Sequence, residues 1–359
     1  AKDLFGTYDH YVLSVHDLKT PQDLVKHFKW LDQHQQEIRS HLHEIMPEYI
    51  KRCYELQKEV ENTRKKYTPQ PLLASRNSCT GCEACKSICP KHCIKMITND
   101  NGFLEPQIDY KKCIHCNLCK QICPVLKEKI SIRPDESYAV QAMDDQVRQN
   151  SSSGGVFTLL AEEIIQKGGT VFGAAMMEDC TVKHVMVSDS KNLSKLRGSK
   201  YVQSEIGTIY LEVKKKLKEG LVLFSGTPCQ VAGLKAFLQE DNSNLYCVDV
   251  VCHGVPSPTI FKCYLQELEE KYHDKIIDVN FRYKDHSWVD FHIRIQFQNG
   301  KIINEPIREN SYMSAFLSNL ILRPSCFECR FQNFCSSADI TYTTLHTFTK
   351  ENPMKIYAA

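Results

Sequence analysis

Eight cysteines between residues 79 and 124 carry the clearest chemistry in the chain. Cys79, Cys82, Cys85 and Cys89 lead into Pro90, and the same spacing returns as Cys113, Cys116, Cys119 and Cys123 leading into Pro124. Three thiolates separated by two residues on a tight loop can each reach a different iron of one cubane, while the fourth, just before proline, points away toward the other cluster. The pattern predicts two interlocked 4Fe-4S clusters, one on Cys79, Cys82, Cys85 and Cys123, the other on Cys113, Cys116, Cys119 and Cys89. A zinc pair or a disulfide frame shares the C-x-x-C element but has no need of the third and fourth cysteines at this spacing. Gly81 gives the first loop backbone freedom, and Cys93, just outside the first cassette, reads as a small buried thiol.

Two further groups of residues have spacing that invites chemistry. The run Ser225-Gly-Thr-Pro-Cys229-Gln230 ends a strand and opens a helix, where the dipole would stabilise a Cys229 thiolate. Cys252-His253-Gly254 follows the next strand and hence the same edge of the sheet, and Cys326 and Cys329 follow in a late loop with Cys335 as a spare. Four thiolates suit a third cluster or a structural zinc, and Cys229 by itself could instead be a nucleophile. The second group is Ser151-Ser-Ser-Gly154-Gly155-Val-Phe-Thr158, between a strand and a helix. Small residues there leave backbone N–H groups uncovered, which suits a phosphate or pyrophosphate and equally suits an ordinary helix cap.

The elements that must position these residues can be laid out along the chain. Its 359 residues, 42% hydrophobic and 25% charged, suffice for two or three soluble domains. A net charge of +2 argues against a nucleic-acid partner or an anionic membrane surface. No apolar run approaches the roughly 20 residues of a membrane span, and no secretion signal is evident at the start. Eighteen cysteines, at least eight of them claimed by clusters, indicate a reducing compartment, so a cytoplasmic home is expected. The chain starts at Ala1, and we expect a fragment of something longer.

Residues 1–66 read as a helical segment. Thr20-Pro21-Gln-Asp23 marks a helix start, Leu24, Phe28 and Leu31 follow at helical spacing, and a second helix carries Ile38, Leu42, Ile45 and Tyr49. His34, His41 and His43 there read as solvated. Residues 67–78 form a linker and 79–130 the two-cluster ferredoxin-like domain, with a hairpin turning at Asn101-Gly102. From 131 to 341 strands alternate with helices, beginning at Tyr138–Ala142, and 342–359 is an atypical C-terminus. The fold class expected is α+β and α/β: a helical N-terminal segment, a two-cluster ferredoxin-like unit, then an α/β domain with a mixed sheet.

Six ordered motifs bring a family into view. Ser153-Gly-Gly-Val-Phe-Thr158, Gly198-Ser-Lys-Tyr-Val-Gln-Ser204, Ser225-Gly-Thr-Pro-Cys-Gln230, Cys252-His-Gly254, Phe281-Arg-Tyr-Lys-Asp285 with Trp288, and Cys326-x-x-Cys329 ending in Ala338-Asp-Ile-Thr341 together resemble the coenzyme F420 hydrogenase/dehydrogenase beta subunit family. The resemblance runs from about 79 to 341. It implies a flavin, FAD, in the α/β domain, with Ser153, Gly154, Gly155, Thr158 and Lys200 as flavin contacts. It also implies an iron-sulfur flavoprotein oxidoreductase passing electrons between ferredoxin or another redox protein and a deazaflavin or other small-molecule acceptor. A rival expectation is a non-catalytic electron-relay subunit or domain of a larger, fused enzyme. Past Thr341 the sequence departs from the family's pattern, so a truncated or altered C-terminus is expected. The N-terminal Asp17-Leu-Lys-Thr-Pro-Gln-Asp-Leu24 with Met46-Pro47 is similar to the tail of polysaccharide pyruvyl transferases. No side chain is singled out as a general acid or base.

Overall fold

The computed structural model describes residues 73–127, 138–284, 291–332 and 337–343. The chain divides into two compact units, Ala1–Pro69 and Gln70–Ala359, and all described residues belong to the second. The expected N-terminal helices, with their histidines, and the pyruvyl-transferase-like stretch lie outside the described residues. So do Asp285, Trp288, Cys335 and the chain after Thr343.

The two cysteine cassettes repeat in backbone as they do in sequence. Short helices α1 (Ala84–Ile88) and α2 (Leu118–Gln121) each start after a left-handed residue, Glu83 at φ 61 and Asn117 at φ 59, both directly following the second cysteine of their cassette. Between the cassettes β1 (Ile94–Thr98) pairs antiparallel with β2 (Leu104–Ile108), Ile94 opposite Ile108. Asn99 holds the turn, its side-chain oxygen accepting from the N–H groups of Asn101 and Phe103, while Gly102 takes the positive φ of 77 that the turn requires.

The α/β region is built on a five-stranded sheet. Its strands are β3 (Thr170–Met176), β4 (Val182–Val187), β5 (Val222–Gly226), β6 (Leu245–Val250) and β10 (Ile340–Tyr342), in the order β10-β6-β5-β3-β4. All neighbours are parallel except β4, the antiparallel edge, so the sheet is mixed as expected. Side chains alternate between two buried layers. Phe172 and Phe224 face one core with Tyr210, Val231 and Leu234, while Val171 and Leu223 face another with Ala161 and Ile164. Helices α4 (Val156–Gln166), α5 (Ile209–Lys216) and α6 (Pro228–Leu238) cover it; α3 (Asp145–Gln149) is one short turn before α4. A separate antiparallel sheet, β7 (Ile276–Lys284), β8 (Phe291–Phe297) and β9 (Ile302–Pro306), packs with α7 (Pro258–Tyr272) and α8 (Ser311–Leu317) around Phe261, Phe281, Tyr312 and Phe316.

Tyr138–Ala142, expected as the first strand, is not one. The edge beside β3 is taken by β4, and residues 138–142 instead follow the serine-glycine loop, Ala142 N–H donating to Gly154 O at 2.7 Å.

The ferredoxin-like unit shares a core with the α/β region: Cys82, Ala84 and Ile122 pack into the layer of Tyr210, Val231 and Leu234. Arg323, 2% exposed, ties the two together. It donates to Cys79 O at 2.7 Å, Leu104 O at 2.9 Å and Gln203 Oε1 at 2.9 Å, while Gln203 Nε2 donates to Thr80 O at 3.0 Å. Glu83, also buried, accepts the Ile206 N–H at 2.8 Å. Removing Arg323 would orphan buried acceptors, each worth about 1–3 kcal/mol. We predict that Arg323→Leu lowers the unfolding free energy by about 3 kcal/mol, read as a drop in denaturant midpoint by circular dichroism. An unchanged midpoint would show that this docking is not held by Arg323.

Candidate functional site

The structure gathers the cassette cysteines crosswise. Cys82 and Cys85 feel the charges of Cys79 and of Cys123, which belongs to the other cassette. Burial first, and then this crowding, push both thiols well above the ordinary cysteine range. On the far side of the unit Cys113, Cys116 and Cys119 enclose a small cavity together with Cys89, again from the other cassette, and with Cys93. Among the described residues no three Cys, His, Asp or Glu side chains are gathered around a single point. A cubane does not ask for that, because its four thiolates bind four different irons. Crowded thiols that burial holds protonated are suited to give up their protons to a metal cluster rather than to act alone.

A third group of thiols forms where β5 and β6 end. Cys229 opens α6, whose cap is the Thr227–Gln230 box with Pro228 in the first turn. Cys252 follows the neighbouring strand β6. Cys326, in the short helix α9 (Pro324–Phe327), and Cys329 approach from the late loop, near enough for their charges to act on Cys229 and Cys252. The helix dipole was expected to favour a Cys229 thiolate. Instead burial of the sulfur pushes that thiol up to about 12, outweighing the Thr227 hydroxyl at 3.2 Å. Such a thiol is a poor nucleophile and a good partner for a metal that displaces its proton.

Beside this group opens a cleft of about 2250 Å³. Its walls include Ser153, Gly154, Gly155, Thr158 and Lys200, all five residues expected at a cofactor site, and also Cys229 and Cys252. The cleft and the four-cysteine group therefore share a wall. The glycines have packing reasons of their own: a Cβ on Gly154 would meet Val140 O at 2.8 Å, and Gly155 caps α4 at φ 85 with Val147 in its way at 2.9 Å. A bulky residue at 154 would thus disturb the loop itself as well as any ligand seated on it. Ser152 fastens the loop to the opposite wall, its hydroxyl accepting from Ser199 N–H at 2.6 Å.

Charge in the cleft is one-sided. Arg148, Arg197, Lys200, Arg282, Lys284 and Arg308 line it, against Asp145 as the one carboxylate among its described lining residues. An anionic ligand is what such a wall attracts. Arg148, Arg197 and Arg308 stand in no motif, and Arg282 and Lys284 stand in the Phe281–Asp285 motif with no role assigned, since these cations come from four separate segments and only the fold brings them together. His184 was missed for a similar reason. An inward-facing residue of an edge strand, it stacks on Phe224 with ring centroids 5.3 Å apart and contacts Ser225 O through Nε2 at 3.0 Å. A carbonyl can only accept, so Nε2 carries the proton; burial lowers the pKa to about 4, and Nδ1 is left without a partner.

Lys200 donates to Arg197 O at 2.7 Å and Lys195 O at 3.0 Å, and burial lowers its pKa from 10.5 to about 7. An anion bound beside it would favour the ammonium, so binding above pH 7 takes up a proton and affinity falls as pH rises from about 7 toward 9. We predict that sulfate, whose charge is constant over this range, binds more weakly with rising pH by up to about tenfold per unit, and that Lys200→Met flattens the profile. Calorimetry giving the same pH dependence for both proteins would contradict this.

Comparison with known proteins agrees with the geometry. Residues 137–209 match the sequence model for the N-terminal part of the coenzyme F420 hydrogenase/dehydrogenase beta subunit, and residues 220–353 match that for its C terminus. Residues 78–126 match a 4Fe-4S dicluster domain. No curated protein sequence matches the chain significantly. Among solved structures, a chain of the F420-reducing NiFe hydrogenase complex from Methanosarcina barkeri is similar at 15% identity and a TM-score of 0.41, covering 60% of this chain and 71% of that one. With both halves of the subunit matched in order behind a dicluster domain, the chain belongs to the coenzyme F420 hydrogenase/dehydrogenase beta subunit family and is an iron-sulfur redox protein of that type.

Proposed function

We propose that the chain is an iron-sulfur flavoprotein oxidoreductase with three cubane sites and one FAD. Cys79, Cys82, Cys85 and Cys123 would hold the first cluster, Cys113, Cys116, Cys119 and Cys89 the second, and Cys229, Cys252, Cys326 and Cys329 the third. FAD would lie in the cleft with its phosphates toward Ser153–Gly155, Thr158 and Lys200. The observation that carries this reading is the shared wall: Cys229 and Cys252 belong both to the four-thiol group and to the cation-lined cleft. When bound, such clusters supply single electrons and a flavin supplies exchange between single electrons and a hydride equivalent.

The chain's own residues order these sites. Cys82 lies on α6 so closely that a Cβ on Gly233 would meet its sulfur at 3.0 Å, and its thiol feels the charge of Cys229. Phe224, Tyr210 and Leu234 keep that junction dry. At the opposite end Cys116 is exposed, with Ile114 exposed beside it, which suits contact with a ferredoxin-type carrier at the second cassette. The acceptor would be a deazaflavin or another anionic molecule entering the cleft from the side of the cations. Among the described residues no helix is long and apolar enough to cross a membrane. Oxygen-sensitive clusters on thiolates fit a reducing cytoplasm.

Protein purified without oxygen is predicted to carry about twelve irons with matching sulfide, four per cubane, and one flavin released on denaturation. Iron without flavin would favour the electron-relay reading, and neither would defeat both. Cys123→Ala is predicted to remove the signal of the cluster on Cys79, Cys82 and Cys85, separated by electron paramagnetic resonance; loss of the neighbouring cluster instead would overturn the crossed ligation.

A further inference from the structure

The second cluster cage contains one thiol more than a cubane needs. Cys93 is 4% exposed, lines the same cavity as Cys113, Cys116 and Cys119, and places its sulfur 3.4 Å from that of Cys89. Its position is not slack: the Cys93 carbonyl accepts from Asp109 N–H at 2.8 Å, and its side chain packs with Ile94 in the hairpin core. Cys89 receives the backbone N–H groups of Lys91, His92 and Cys93 at its sulfur, the arrangement that supports a thiolate ligand, whereas Cys93 has the neighbouring sulfurs of Cys89 and Cys113. The cassette repeat isolates this feature. The residue four beyond Cys89 is Cys93, and the residue four beyond Cys123 is Lys127, so the first cluster has no such neighbour.

We propose that Cys93 is a reserve ligand of the second cluster, able to take the fourth iron in place of Cys89; the inference rests on the crossed ligation above. In the exchange the iron–sulfur bond to Cys89 breaks and one to Cys93 forms. The Cys93 proton moves to the Cys89 sulfur, and no electron is transferred, so the oxidation level of the cluster is unchanged. The two sulfurs lie close enough for the swap to need side-chain rotation alone, not a shift of the hairpin.

The test compares four variants of the full chain, purified without oxygen: Cys89→Ala, Cys93→Ala, the double variant and Cys123→Ala, the equivalent change in the other cassette. Iron and sulfide per chain are measured together with the paramagnetic resonance of each cluster. Cys89→Ala and Cys93→Ala are each expected to keep the parent's iron, while the double variant and Cys123→Ala lose up to about four irons each. Cys89→Ala as depleted as the double variant would overturn the reserve role and leave the crossed ligation standing. Poorer soluble yield for Cys89→Ala than for Cys123→Ala would also overturn it, because a reserve ligand must make position 89 the more tolerant. Full iron in both Cys123→Ala and the double variant would overturn the ligation and the reserve role together.

Discussion

Close approach between the first cysteine loop and the helix that begins at Cys229 is the constraint on which the rest of the structure depends. Cys82 sits against Gly233, one turn into that helix, where no side chain larger than hydrogen fits. To bring the loop this near, the ferredoxin-like unit commits part of its apolar surface to a shared core: Cys82, Ala84 and Ile122 are buried with the helices of the α/β region, while Cys89, Cys93, Ile94 and Cys119 form a smaller core of the unit's own. Arg323 and Gln203 then fix the register by bonding to backbone carbonyls of the loop, which have no helix or sheet partner of their own. A freely tethered ferredoxin domain would not need these bonds. Their presence ties the cluster unit to the α/β region that carries the cleft.

The same burial governs the chemistry. Thiols in all three groups are raised above the usual cysteine range, by desolvation first and by one another second. Without metal the folded chain holds these protons more tightly than the unfolded one, so their contribution to apo stability is present below the ordinary thiol range and is lost as pH rises through it and beyond. Iron would reverse the balance by taking the thiolates, which would link cluster assembly to folding. In the cleft the burden is opposite in sign. Cations half-enclosed by protein, Lys200 above all, are poorly solvated until an anion arrives, and the neutral His184 beneath them adds no further charge.

How much of this was legible in the sequence differs by the kind of signal. The cassettes were readable as a dicluster domain because cubane ligation is written in local spacing, and the nearness of Cys123 to Cys82 and Cys85, and of Cys89 to Cys113, Cys116 and Cys119, is what a crossed ligation would need. The strands at 170, 222 and 245 were readable because buried parallel strands are apolar runs, and the one at 182 because an antiparallel edge alternates buried and exposed residues. Tyr138–Ala142 is a similarly short, mostly apolar run and is not a strand; pairing depends on which sheet edge is free, and that edge belongs to residues 182–187. The behaviour of Cys229 was misjudged since helix position is local and burial is not. His184 carries no motif at all, and Arg282, although it stands in the Phe281–Asp285 motif, acquires a place only when the second sheet brings it to the cleft, as the edge strand brings His184. The thiol pair Cys89 and Cys93 is a matter of 3.4 Å, which spacing in sequence does not state.

The central claim is that the four-thiol group at Cys229 stands between the ferredoxin-like unit and the cleft. It is tested most directly by stopped-flow reduction of the flavin-loaded protein, comparing a reduced ferredoxin with a small reductant that reaches the cleft unaided. In Cys252→Ala, with flavin retained, reduction by ferredoxin is predicted to slow at least about tenfold, the loss expected if a link of about 1.4 kcal/mol or more in the barrier is removed, while reduction by the small reductant is unchanged. Equal rates with ferredoxin in parent and variant would contradict the account.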